Sequence, residues 1–304
     1  MISLFQYYRI VAAFLILLMH QQFWQTGPFM AGLKNAAVPL FACMAGYLYK
    51  KGLSPKVTRI IVPYLFWAVI YFVANNVLFD VVVKREPLVI PELKAWLLGG
   101  TACHLWFLPC LFVAYAVTSA LSNIKRQTSS LMLLLVAIAT QFLPGETSAS
   151  LLGYCKIYLG RLLVYFSIGL LLQSLLNSSR GSAGSRSNTL QIVIGGGGLV
   201  MLGLSNLWGN LFSGLVLQPL PLVVGCVLLA VGVGEFKLPK LVERVASATM
   251  GIYLVHVLLT SVANAVLAKC GHPQLPMVLG LPLAVALFVL SYWCSLALPK
   301  WLKG

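Results

Sequence analysis

The sequence predicts an all-α integral membrane bundle of about ten transmembrane helices with both termini cytoplasmic. Three observations carry that prediction. Hydrophobic residues make up 60% of the 304 residues and charged residues only 9%, and the mean hydropathy is +0.93, a composition far outside the soluble range. Apolar stretches of about 20 residues, the length needed to cross a bilayer, recur along the whole chain. The Lys and Arg residues are distributed unevenly between the connecting segments.

The expected spans are 4–24, 29–49, 60–79, 104–121, 128–144, 157–176, 189–207, 211–233, 247–268 and 276–299. The first contains a signal-peptide-like run, Ile10 to Met19, but His20-Gln21-Gln22-Phe23-Trp24 follows with no small-residue cleavage site, so it is expected to be retained. Lys34, Asn35 and Pro39 interrupt the second and the fifth is short, so these two are the candidates for a re-entrant or broken segment. Gly195 to Gly198 open the seventh span and permit either close helix approach or a local break. No Lys-Ser/Thr follows them, so they are not a phosphate-binding loop.

Between the spans, the loop 80–103 carries Leu93, Trp96 and Leu97 at helical spacing, an expected amphipathic cap on the bundle. Residues 177–189 read as a flexible Gly/Ser-rich basic connection. Of the 21 basic residues, 13 fall on one side (Lys50, Lys51, Lys56, Arg59 and the later loops to Lys303), 6 on the other, and Arg9 and Arg161 within spans. The positive-inside bias then places both termini in the cytoplasm. The chain reads as one transmembrane domain, 1–304, so any chemistry is expected to be completed within the bundle.

The formal charge of +15 comes with no nucleic-acid motif and no basic domain, so nucleic acid is not an expected partner. The seven cysteines lack paired spacing and read as packing residues. No two histidines lie at ligand spacing, so no metal is expected.

Ionisable residues inside spans are costly and mark function by default. Arg9 and His20 lie eleven positions apart in Tyr7-Tyr8-Arg9-Ile10-Val11-Ala12-Ala13-Phe14-Leu15-Ile16-Leu17-Leu18-Met19-His20. Eleven helical steps return to within roughly 20° of the start and rise about 16 Å, so a fixed cation and a titratable imidazole share one helix face. Both are expected to line one channel. Arg161 and His256 are the other intramembrane candidates, and His104 opens the fourth span.

The Arg9-x10-His20 pair resembles the first-helix signature of the acyltransferase-3 family, multi-pass membrane enzymes that move acyl groups from cytoplasmic acyl-CoA to hydroxyls of cell-surface glycans and lipids. Four further segments resemble the family's pattern in order: Val38-Pro39-Leu40-Phe41-Ala42-Cys43-Met44-Ala45-Gly46-Tyr47-Leu48, with Ala45 in place of the usual Ser; Arg59-Ile60-Ile61-Val62-Pro63-Tyr64; His104-Leu105-Trp106-Phe107-Leu108; and Gly251-Ile252-Tyr253-Leu254-Val255-His256.

The resemblance implies an O-acyltransferase of the inner membrane, most simply an O-acetyltransferase acting at the outer face on a bacterial envelope glycan or glycolipid such as O-antigen. Acetyl-CoA would be a co-substrate and no cofactor would be tightly bound. Imidazole suits proton removal near neutral pH, so His20 is the expected base, or alternatively the covalent acyl carrier. Arg9, Lys56 and Arg59 are the expected CoA-binding cations; Arg161, His104 and His256 are the expected acceptor-side or supporting groups. A rival reading keeps the same residues as the proton path of a small-molecule or lipid transporter.

Overall fold

A computed structural model describes residues 2–23, 28–50, 57–75, 96, 102, 104–143, 151–178, 188–211 and 217–299. Every regular element among them is helical. The long elements are α1 (Ser3–His20), α2 (Pro28–Leu48), α3 (Val57–Phe72), α4 (Phe107–Ala120) and α5 (Arg126–Thr140). A short α6 (Leu151–Tyr154) runs through a π-helical turn, Cys155–Gly160, into α7 (Arg161–Ser178). Then follow α8 (Asn188–Leu211), α9 (Leu220–Val233), α10 (Lys240–Ser247), α11 (Thr249–Lys269) and α12 (Met277–Ala297). Five helices among the described residues are long and apolar enough to cross a membrane: Ser3–His20, Thr58–Asn75, Cys155–Leu176, Thr249–Lys269 and Met277–Ala297. The chain is thus an all-α membrane protein. The other expected spans also coincide with helices, several of them shorter.

Neither expected interruption occurs. Residues 28–48 form one continuous helix with Pro39 inside it, and residues 126–140 form another. The four-glycine run does not break α8 either; it serves close approach. A Cβ on Gly198 would lie 2.6 Å from the backbone of Leu229, and Gly225 and Gly232 of α9 face Gly198 and Gly195 in return. In a bilayer, lipid tails are as apolar as Leu, so helices associate through such close packing more than through a hydrophobic drive. The same device joins α2 to α7. A Cβ on Gly46 would overlap the carbonyl of Phe166, and one on Gly169 the carbonyl of Cys43.

Two elements differ from the expected spans in kind. The sixth span was expected as plain helix from 157, but Gln141 at the end of α5 donates from Nε2 to the Lys156 carbonyl at 3.1 Å, inside the π-helical turn. Thr140 and Gln141 also press against Gly160. Such turns need a neighbour to engage freed backbone groups, and no apolar pattern records that. The basic segment holding Lys240 and Arg244 is the amphipathic helix α10, entered from Pro239 in extended conformation. Of the surface cap expected in 80–103, Trp96 is described: its carbonyl accepts a hydrogen bond from the Tyr64 hydroxyl, and its ring packs 5.2 Å from Phe72. Leu93 and Leu97 lie outside the described residues, as do Lys56 and most of the 177–189 connection.

Candidate active site

Helix α1 is amphipathic in the bundle sense. Phe5, Ala12, Leu17 and Leu18 are buried completely, while Arg9 and His20 are half-buried on the stretch between packed faces. Arg9 opens onto a cavity of about 230 Å³. Its walls are Ile16 of α1, Val38, Phe41, Met44, Ala45 and Leu48 of α2, Phe107, Leu111 and Tyr115 of α4, and Thr249, Met250 and Tyr253 of α11. Among the described residues that form those walls, Arg9 is the one charged side chain. Four of the five segments that carry the family resemblance therefore meet at one space. Ala45, where the family pattern has Ser, leaves that part of the wall apolar.

His20 does not line the cavity, contrary to the expectation of one shared channel. Its ring neighbours are His104 and His256, and both of these touch the cavity-lining Tyr253. At the cavity's edge Tyr253 donates its hydroxyl to the backbone carbonyl of His104, with its ring 5.3 Å from that of His104 and 5.9 Å from that of His256. Behind Tyr253 three imidazoles meet. The ring centres of His20 and His104 are 5.8 Å apart, those of His20 and His256 5.3 Å, and those of His104 and His256 5.4 Å. Three of the protein's four histidines thus form one cluster, brought together by the end of α1, the turn entering α4 and the first half of α11.

Tyr71 of α3 ties the cluster to α11: it packs 4.9 Å from His104, donates its hydroxyl to the Leu254 carbonyl at 2.8 Å, and accepts the Leu258 amide at 3.2 Å. His256 lies between those two residues in the helix. Its Nδ1 is 2.7 Å from the Tyr253 carbonyl.

His104 and His256 are buried, at 2% and 1% exposure, yet both ring nitrogens of His104 and Nε2 of His256 meet no hydrogen-bond partner. Each unpaired buried polar group costs about 1–3 kcal/mol. A packing role would have favoured an apolar side chain at both positions, so the cost points to a reacting or binding function. Among the described residues no group of His, Cys, Asp or Glu is arranged to hold a metal ion.

The chain matches an acyltransferase domain family over residues 4–298, nearly its whole length. It belongs to the acyltransferase-3 family. Membership makes the protein an acyltransferase. No curated relative and no solved structure matches the chain.

The remaining expected site residues fall elsewhere. Arg59 is exposed near the start of α3, the family's basic entry to that helix. Arg161 is exposed at the start of α7 and lines neither the cavity nor the cluster. Tyr71 and Tyr253 were not singled out from sequence. Tyr253 had a signal, because it lies three residues before His256 and so on the same face of one helix. Tyr71 had none, since its role depends on how α3 packs against α11.

Proposed function

We propose that this protein is a membrane O-acyltransferase that carries an acyl group, most simply acetyl, from cytoplasmic acyl-CoA to a hydroxyl of a cell-surface glycan or glycolipid. The observation that carries the reading is the adjacency of an apolar cavity holding a single guanidinium to three clustered imidazoles, two of them fully buried with unpaired nitrogens. In this reading the chain crosses the inner membrane ten times with both termini in the cytoplasm, and the site opens to the outer face.

CoA is polyanionic and stays at the cytoplasmic side, where Arg59 and Lys56 bind its phosphates by charge-assisted hydrogen bonds. The thin pantetheine arm enters the cavity. Arg9 then lies beside its amide oxygens, and the apolar wall formed by Phe41, Met44 and Ala45 keeps water from the arm. For the arm to reach His20, the Tyr253 ring must move aside. His20 takes the proton of the acceptor hydroxyl as its oxygen attacks the thioester carbon. The C–S bond breaks as the ester C–O bond forms, and the proton passes to the departing CoA sulfur. If His20 instead carries the acyl group, the same atoms move in two steps. His104 and His256 flank the reacting groups, and Arg161 meets the polar acceptor before it enters.

The test is transfer of radiolabel from acetyl-CoA by purified protein in lipid, with and without a glycolipid acceptor. Wild type should transfer label, and His20→Ala should lose transfer while retaining CoA binding. Native-rate transfer by His20→Ala would remove His20 from the chemistry.

A further inference from the structure

One side of α4 borders two spaces. Phe107, Leu111 and Tyr115 line the Arg9 cavity, while Thr118 and then Ser122, in the short turn that follows the helix, line a second cavity of about 20 Å³. At about 100° per residue, Phe107, Leu111, Tyr115 and Thr118 fall within about 80° of one another. The second space therefore continues the line of the first, toward the end where α2 stops, and Tyr49, the residue after α2, is part of its wall. Two stacked rings mark the boundary: Tyr115 of the first cavity and Tyr49 of the second have centres 5.7 Å apart with planes at 29°.

Beyond those rings lies Arg126, which lines the second cavity with its guanidinium carbon 5.8 Å from the centre of the Tyr49 ring. A cation that only anchors a helix end extends toward water. Arg126 instead folds back, half-buried, over a buried aromatic face, although its neighbour Lys125 is exposed. Gln173 of α7 holds it there. The Gln173 amide nitrogen donates to the backbone carbonyls of Tyr47 and Tyr49, so its oxygen is the atom that faces Arg126 and accepts from Nη1. That bond takes one of the five N–H groups of a guanidinium.

We propose that Arg126 is a further donor-binding residue, whose guanidinium holds the pyrophosphate of acyl-CoA by charge-assisted hydrogen bonds where the pantetheine arm enters the Arg9 cavity. The inference rests on the acyl-CoA reading of the site. A cavity of about 20 Å³ is too small for a phosphate, so the anion lies at its rim, where the half-buried Arg126 meets water. Length supports the placement. At the reach of an extended backbone, about 3.3–3.6 Å for every three bonds, the arm from phosphorus to sulfur spans about 15 Å. Helix α4 rises about 16 Å from Thr118 to Phe107. A phosphate at the level of Thr118 and Ser122 thus brings the sulfur between Leu111 and Phe107, and the Phe107 ring is 5.9 Å from Tyr253 at the edge of the histidine cluster. To admit the arm the ring of Tyr115 turns: it is half-buried and packs on Tyr49 and Phe166, whereas Tyr49 is buried and capped by Arg126.

The experiment is titration calorimetry of the full chain in nanodiscs of zwitterionic lipid, where no anionic headgroup competes, with three probes: CoA, dephospho-CoA, which keeps the pyrophosphate, and S-acetylpantetheine, which has no phosphate. Arg126→Gln should weaken CoA and dephospho-CoA alike by about 10- to 150-fold, the range for a charge-assisted hydrogen bond, and leave S-acetylpantetheine at the wild-type affinity. Arg126→Lys, which keeps the charge and loses the planar fork, should fall between. Undiminished CoA binding by Arg126→Gln would overturn the inference. So would an equal loss for S-acetylpantetheine, which marks Arg126 as structural, and a loss confined to CoA, which puts the 3′-phosphate there instead. In each of these results wild type still binds CoA and the functional reading stands; wild type that binds none of the three probes would defeat that reading itself.

Turnover supplies the second arm. Arg126→Gln should raise the acetyl-CoA KM by the same factor with kcat unchanged, the pattern of binding shared by ground state and transition state. A lowered kcat at unchanged KM would contradict the assignment.

Discussion

Tyr253 lines the Arg9 cavity and touches His104 and His256, and its hydroxyl bond to the His104 carbonyl holds the ring there. Tyr253→Phe deletes that bond but keeps the ring, the cavity wall and the backbone carbonyl that anchors His256. A buried neutral hydrogen bond contributes about 0.5–1.5 kcal/mol net. Removing it should raise the population of the displaced ring by about 2- to 13-fold, and the apparent affinity for a ligand that needs the displaced state should rise by the same factor. Steady-state kinetics of acetyl transfer in nanodiscs read this directly: the acyl-CoA KM of Tyr253→Phe should fall severalfold. An unchanged or raised KM would show that the ring is no barrier and that donor and base meet by another route.

Three other substitutions probe separate parts of the site. Arg9→Ala should raise the acyl-CoA KM by about 10- to 150-fold, the worth of one charge-assisted hydrogen bond at about 1.5–3 kcal/mol, with Arg9→Lys intermediate, as titration calorimetry with CoA would confirm. Gly169→Ala places a methyl into the Cys43 carbonyl, where no rotamer relieves the overlap; it should cost at least about 1–3 kcal/mol and lower the thermal unfolding midpoint, while Gly197→Ala, which meets nothing within 4 Å, should not. Arg161→Ala removes an exposed cation that does not line the cavity, and should leave the acyl-CoA KM unchanged and move only the acceptor KM.

Much of the architecture was legible because bilayer length and apolar runs impose it. Helices α11 and α12 lie within two residues of the expected spans, α1 starts one residue early and ends four short of its own, and of the two readings of the glycine run, close approach or a local break, the structure has the first. The π-helical turn was not legible, because its cause is the Gln141 side chain arriving from another helix. Arg9 and His20 share one face of α1, but whether a face opens to a cavity depends on its neighbours, and the cavity is lined by Arg9 and not by His20. The histidines were judged by their spacing along the chain, where 20, 104 and 256 are remote. Only the packing of α1, α4 and α11 reveals that they form one cluster, His104 and His256 buried and His20 half-buried beside them.

Electron cryomicroscopy of the full chain bound to a non-hydrolysable acetyl-CoA thioether is the most direct examination of the site. Density should run from the Arg9 guanidinium through the cavity and past a displaced Tyr253 ring, ending with the acetyl carbon beside His20. An arm that stops at Arg9 with Tyr253 still bonded to His104, or that lies along the lipid-facing surface, would contradict transfer at the histidine cluster.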